Sequence, residues 1–305
     1  MIPSPTALSI DGVRRRTADF IALTKPRVVS MILITTCVGF YLGSDAGTNY
    51  LLLLPTLLGT ALAAGGTLTL NQYMERDIDA LMKRTRFRPL PDGRLQPNEA
   101  LAFGLFTAAA GLIYLATAVN LLSACVAATI TVTYLLLYTP MKRLTPFCSI
   151  VGAVPGALPP VIGWAAVRDG FGVEAGILFA ILFLWQLPHS LAIGQLYRED
   201  YARAGLRLLP VVEPDGQSTA RQVVNNCLAL VAVGLLPTVV GLAGPLYFVA
   251  AMILGLGFLG YGIRFSRQRD EAAARQLLFA SLIYLPAILI AMALDKMPGV
   301  GGLLG

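Results

Sequence analysis

The chain has 305 residues, of which 56% are hydrophobic and 13% charged, and its mean hydropathy is +0.71. That much apolar surface exceeds what one soluble core can bury and suits a lipid bilayer. A net charge of +6 would admit a nucleic-acid partner, but the cations sit in short links between apolar runs, which is a membrane pattern rather than a basic face.

Residues 1–27 mix polar and apolar types, with Arg14, Arg15 and Arg16 in a row. They lack the apolar centre of a cleaved leader and read as a cytoplasmic N-terminal segment before an uncleaved first span. Nine apolar runs follow, near 28–45, 51–72, 99–118, 121–138, 146–167, 173–195, 222–243, 245–265 and 276–294. Each approaches the ~20 residues a helix needs to cross the hydrocarbon layer. With the N-terminus in the cytoplasm and the spans alternating, 21 of the 23 Lys and Arg residues fall on the cytoplasmic side. Only Arg168 and Lys296 fall outside, the bias expected of positive-inside topology. The expected fold is all-α: a polytopic membrane protein of nine transmembrane helices around a central cavity, in one domain over 1–305.

Two cytoplasmic segments are longer than a turn, 73–98 and 196–221, and they follow spans 2 and 6. Each begins with acidic and aromatic residues, becomes basic and turns at proline, a weak internal repeat that puts two half-sites on one face. The first half-site opens with NQYMERDIDALMKRTRFRPL, residues 71–90. Asn71, Glu75 and Asp79 are spaced i, i+4, i+8 and line one helix face, while Asp77 points elsewhere. Three oxygen-bearing side chains in a stripe suit Mg²⁺, a hard cation. Arg84 and Arg88 repeat the i, i+4 spacing, with Arg86 between them, and arginine forks match phosphate. The plainer reading is an exposed helix end whose acids pair with Arg76, Lys83 and Arg84. Asn71 lies inside the apolar run, where an idle polar group is costly, and that favours function.

The second segment offers Arg198, Glu199, Asp200, Arg203 and Arg207 with Tyr197 and Tyr201. Between spans 4 and 5, YTPMKRLTP (138–146) carries Lys142 and Arg143, either plain membrane anchors or further diphosphate donors. Span 5 contains VPGALPPVIGW (154–164), whose prolines and glycines break the helix where backbone can line a cavity. Trp164 is expected at the outer interface. Span 6 contains WQLPHS (185–190) with His189, the one histidine of the chain. It either bonds a neighbouring helix or orients a metalloporphyrin. Cys37, Cys125, Cys148 and Cys227 form no CxxC pair and read as small buried hydrophobes.

These motifs together resemble the UbiA-type intramembrane prenyltransferases and, within them, the haem-farnesylating branch. The resemblance rests on 71–90 and 138–146, on VGAVPGALPPVIGW (151–164), WQLPHSLAI (185–193) and EDYARAGLRLLPVV (199–212). The wider family usually has aspartate where this chain has Glu75, and a richer aspartate cluster where it has Glu199-Asp200-Tyr201. The resemblance implies transfer of the farnesyl group of farnesyl diphosphate to a vinyl group of haem b, with water addition and diphosphate release, giving haem O. It implies Mg²⁺ held by Asn71, Glu75, Asp79 and Asp200, with Tyr201 also catalytic. Arg84, Arg88, Lys142 and Arg143 would hold the diphosphate, and His189 would contact haem. Tyr73, Tyr134, Tyr138 and Tyr201 would offer aromatic faces to an allylic cation. Expected surroundings are a bacterial inner membrane, with haem A synthase or terminal-oxidase assembly proteins as partners. Two competing readings are a prenyltransferase of an aromatic quinone precursor and a secondary transporter. The ionisable residues gather at the cytoplasmic ends of spans rather than at the midplane, which disfavours the transporter.

Overall fold

A computed structural model describes residues 10–213 and 215–298. Its helices are α1 (Ile10–Leu23), α2 (Pro26–Gly43), α3 (Leu53–Asp79), α4 (Pro97–Ala118), α5 (Leu121–Val132), α6 (Thr139–Met141), α7 (Cys148–Ala157) and α8 (Pro159–Arg168). Then come α9 (Val173–Leu196), α10 (Arg198–Arg203), α11 (Leu209–Val212), α12 (Gln217–Val239), α13 (Pro245–Gln268) and α14 (Glu271–Leu294). A 3₁₀ turn at Tyr50–Leu52 leads into α3, and a π-helical turn at Thr133–Tyr138 joins α5 to α6. Among the described residues nine stretches are long and apolar enough to cross a membrane, in the predicted order. Residues 1–9 and 299–305 of the single domain expected over 1–305, and Pro214 of the segment 196–221, lie outside the described residues.

Local chemistry sets the boundaries. Proline opens α2, α4, α8 and α13, where its missing N–H costs nothing. Gln96 and Glu99 form a capping box on α4. Asn120 caps α5 by accepting from Ser123 N at 2.8 Å, which explains so short a link between two spans. Asp270 caps α14 in the same way at 2.7 Å, so that helix starts at Glu271, five residues before the apolar run.

Span 5 is broken as its sequence predicts. α7 ends at Ala157 and α8 starts at Pro159, since two successive prolines remove two amide donors. Trp164, however, is 5% exposed and sits in the main core, with the Arg168 guanidinium 5.9 Å from its ring centroid. The expected interfacial position is therefore wrong. Gly163 explains the burial: a Cβ there would fall on the Thr36 carbonyl oxygen, so α8 and α2 touch backbone to backbone. Gly111 does the same for α4 against Ala63 of α3. Of the cysteines, Cys148 and Cys227 are buried, Cys37 is half-buried and Cys125 is exposed, so burial holds for two of them.

One core cluster unites α9, α12, α13 and α14, and a second unites α3, α4 and α5. Helix α8 contributes to both, through Trp164 to the first and through Val161 and Ile162 to the second. The two cations left off the basic side meet at one end of the bundle. Arg168 pairs with Asp45 at 3.4 Å, and Lys296 Nζ donates to Ser44 O at 2.6 Å. The other end carries the remaining polar machinery.

Candidate active site at one end of the bundle

Helix α3 runs seven residues past its apolar stretch, carrying polar side chains into a buried position. Asn71, Glu75 and Asp79 are 1%, 9% and 1% exposed and stand on one face. Each is met by a cation from a different segment. Lys25 Nζ donates to Asn71 Oδ1 at 3.1 Å. Lys142 Nζ donates to Glu75 Oε1 at 2.7 Å, and Arg88 Nη1 donates to Asp79 Oδ2 at 2.7 Å. The Asn71 amide donates in turn to Thr139 Oγ1 at 3.0 Å, which fixes its oxygen toward Lys25. Asp77 is exposed and lies 3.8 Å from Arg76, away from this cluster, as the spacing predicts.

The arginines depart from the helical spacing read in the sequence. Residues 80–96 are successive turns, so Arg84 and Arg88 do not form a stripe. Thr85, 1% exposed, donates to the Asp79 carbonyl at 2.8 Å and turns the chain back, which returns Arg88 to the carboxylate it follows. Arg84 reaches instead to the second segment. Its Nη2 is 3.4 Å from Tyr201 Oη, and its guanidinium lies 5.1 Å from the Tyr197 ring centroid. Met82, Ala204 and Leu206 pack beneath this contact with Ile78 and Tyr201. Arg207 N donates to Lys142 O at 2.7 Å, so the link after α6 is bound to the same assembly.

Three expected members stand apart. Asp200 pairs with Arg203 of its own helix, and among the described residues no three His, Cys, Asp or Glu side chains gather as a metal cluster. Asp200 therefore does not complete the set begun by Glu75 and Asp79. Arg143 is exposed, with no ion pair or hydrogen bond from its side chain. Tyr73 packs on Leu23, Leu90, Leu95 and Ala100, on another side of α3. The other tyrosines are in place. Tyr134 and Tyr138 lie 5.2 Å apart in the π turn, and Lys142 Nζ is 4.4 Å from the Tyr138 ring centroid.

The electrostatics follow from this crowding. Burial pushes the Lys25 pKa down to about 7, and Arg88 and Lys142 add to the effect against the pull of Glu75 and Asp79. Burial would also lower Lys142, but Tyr138, Glu75 and Tyr134 outweigh it and hold its pKa above the usual lysine value. Burial raises the Tyr201 hydroxyl, so that group stays a neutral donor. Glu75, Asp79 and the Asn71 amide oxygen are hard donors in one stripe. They fit Mg²⁺, which is held by one or two carboxylates and keeps several waters.

His189 belongs to a different part of the bundle. It lies on α9 seven residues before the helix end, roughly 10 Å deeper by helical rise. Its ring stacks on Trp185 at 4.9 Å, and its Nδ1 is 2.8 Å from Ser281 Oγ on α14. Ser281 Oγ is also 2.6 Å from Leu278 O. Two oxygens so close require the hydroxyl hydrogen between them, so Ser281 donates to the carbonyl and accepts from His189. Nδ1 therefore carries the proton and Nε2 keeps a free lone pair. Sequence reasoning missed Lys25, Thr139 and Ser281. Lys25 had one signal, a lysine-proline pair directly before the first span.

A bilayer-spanning bundle whose buried oxygen stripe is faced by converging cations is the site of a membrane enzyme that handles a metal-bound diphosphate. The chain belongs to the UbiA prenyltransferase family, which it matches over residues 32–283. It is 49% identical over 291 residues to a protoheme IX farnesyltransferase of Solibacter usitatus, covering 92% of this chain and 99% of the relative. A protoheme IX farnesyltransferase of Koribacter versatilis is 41% identical over 305 residues, covering 97% and 98%. Among solved structures, one from work on digeranylgeranylglyceryl phosphate synthase superposes with a TM-score of 0.78 at 17% identity, covering 92% of this chain and 98% of that one. A UbiA homolog from Archaeoglobus fulgidus bound to GPP and Mg²⁺ gives 0.65 at 16% identity, covering 90% and 99%.

Proposed function

We propose that the protein converts haem b to haem O in a bacterial inner membrane, with the site end of the bundle facing the cytoplasm. It takes the farnesyl group from farnesyl diphosphate in a Mg²⁺-dependent reaction. The observation that carries this reading is the buried Asn71–Glu75–Asp79 stripe with its three cations, in a chain 49% identical to a relative named for this activity. Asn71, Glu75 and Asp79 would hold Mg²⁺, which supplies neutralising charge to the departing diphosphate.

The chain's own residues then share the work. Arg88 and Lys142 grip phosphate oxygens, and Arg84 closes from the side of Tyr201. As the C–O bond breaks, the diphosphate leaves with the electron pair and an allylic cation remains. Tyr134 and Tyr138 present aromatic faces to that cation in a site from which water is excluded. The terminal vinyl carbon of haem b forms the new C–C bond, which leaves positive charge on the carbon next to the porphyrin ring. Water adds there and loses a proton, giving a hydroxyethylfarnesyl side chain. His189, with Nε2 unprotonated, is suited to hold the haem iron. Haem A synthase or terminal-oxidase assembly proteins would receive the product.

The test is direct. Membranes containing the protein are supplied with farnesyl diphosphate, Mg²⁺ and either haem b or 4-hydroxybenzoate. Haem O is the expected product, and prenylated benzoate without haem O would overturn the assignment.

A further inference from the structure

We infer that Lys25 is a further diphosphate-binding residue, a third cation for the leaving group beside Arg88 and Lys142. The inference rests on the proposed diphosphate chemistry of this site and adds a residue that no motif in it supplies. The argument begins with charge. The stripe holds two carboxylates and one amide, faced by three cations. Lys142 is matched by Glu75 and Arg88 by Asp79. Lys25 faces the amide, a neutral acceptor, and so has no formal counter-charge of its own.

An ammonium drawn out of water without an opposite charge is costly, and two neighbouring cations raise the cost. The sequence nevertheless fixes Lys25 there. Its backbone is left-handed at φ 51°, an unfavourable conformation for a residue with a Cβ, and Pro26 follows at once to begin α2. The α1–α2 link thus aims the side chain inward, and the Thr139 contact turns the Asn71 oxygen to receive it. A site with surplus positive charge, pre-formed beside two hard carboxylates, is complementary to a polyanion that arrives with a metal. A diphosphate has that chemistry: several negative oxygens, some for a cation bound to Glu75 and Asp79, the rest for Lys25, Arg88 and Lys142.

The experiment measures binding of inorganic diphosphate, in the presence of Mg²⁺, to the purified full chain by calorimetry. The variants are Lys25→Met and Lys25→Arg, with melting temperatures recorded for both. A hydrogen bond to a charged group is worth enough that Lys25→Met should weaken diphosphate about ten- to a hundredfold. Lys25→Arg should stay within a few-fold, and the KM for farnesyl diphosphate should rise in the Met variant while that for haem b does not. Lys25→Met binding diphosphate as tightly as the unaltered protein would overturn the inference. So would equal losses in both variants accompanied by equal falls in melting temperature, which would mark a purely structural lysine. Because diphosphate binding needs no acceptor, loss of binding in Lys25→Met upholds this role even if the unaltered protein makes no haem O. That second result would defeat only the proposed acceptor.

Discussion

Replacing Lys142 by methionine strands a buried carboxylate. Lys142 Nζ and Glu75 Oε1 are 2.7 Å apart, and their side chains are 14% and 11% exposed, so water does little to screen either charge. Removing one partner of such a pair typically costs ~3–5 kcal/mol, because the remaining charge keeps its desolvation penalty and loses its compensation. Lys25 lies close enough to act on the same carboxylate, which places the expected loss near the lower end, about 3 kcal/mol. Glu75→Gln strands Lys142 in the same manner. The double variant Glu75→Gln/Lys142→Met removes both charges and should recover most of the stability, since a buried pair contributes little net to folding. A double-mutant cycle on the purified proteins, by equilibrium unfolding in detergent, should give a coupling of about 2–3 kcal/mol. All three variants should lose haem O formation, because stability is restored without the phosphate contact. Losses that add to within ~0.5 kcal/mol would refute the reasoning, since additivity marks groups that do not interact.

Asp79→Ala should lower haem O formation by at least about a hundredfold, the scale of losing a principal charge-stabilising group, while the protein still accumulates in membranes. Extracted haem separated by chromatography reads the outcome, and near-normal haem O would remove Asp79 from the site. Ser281→Ala deprives His189 Nδ1–H of its acceptor, so haem b should bind roughly two- to tenfold more weakly, the value of one neutral hydrogen bond. Ser281→Thr should restore the absorbance titration, and superposed curves for the alanine variant would show that the tautomer is not set there. Arg143→Ala should leave turnover within about twofold, as expected of an exposed residue far from any special feature. A large loss in a turnover assay would mean that the 142–147 link closes over substrate.

The number of spans was legible because an apolar run of bilayer length leaves few alternatives, and the two outlying cations, Arg168 and Lys296, converge on one end. The oxygen stripe was legible because α3 keeps its period through Asp79. The same periodicity misplaced the arginines, since helical spacing has no meaning in the turns after Ala80. Trp164 was misread because type statistics put tryptophan at interfaces, whereas Gly163 brings α2 close enough to cover it. Lys25 and Ser281 were invisible for another reason. Each acts on a residue 46 or 92 positions away, and nothing local signals such a contact.

The π turn at Thr133–Tyr138 has a consequence for how this fold tolerates change. A π turn amounts to one surplus residue in an α-helix, so it sets the angular phase between everything before it and everything after it. Tyr134 lies within it, while Thr139 and Lys142 follow it. Deleting one residue from 133–138 would restore a plain α-helix and rotate all later side chains by roughly 100°. Thr139 would swing off Asn71 and Lys142 off Glu75, although every site residue would still be present in the chain. The span would remain as apolar and nearly as long. The site thus depends on a count of residues as well as on their identities, and a deletion harmless to membrane insertion would dismantle it.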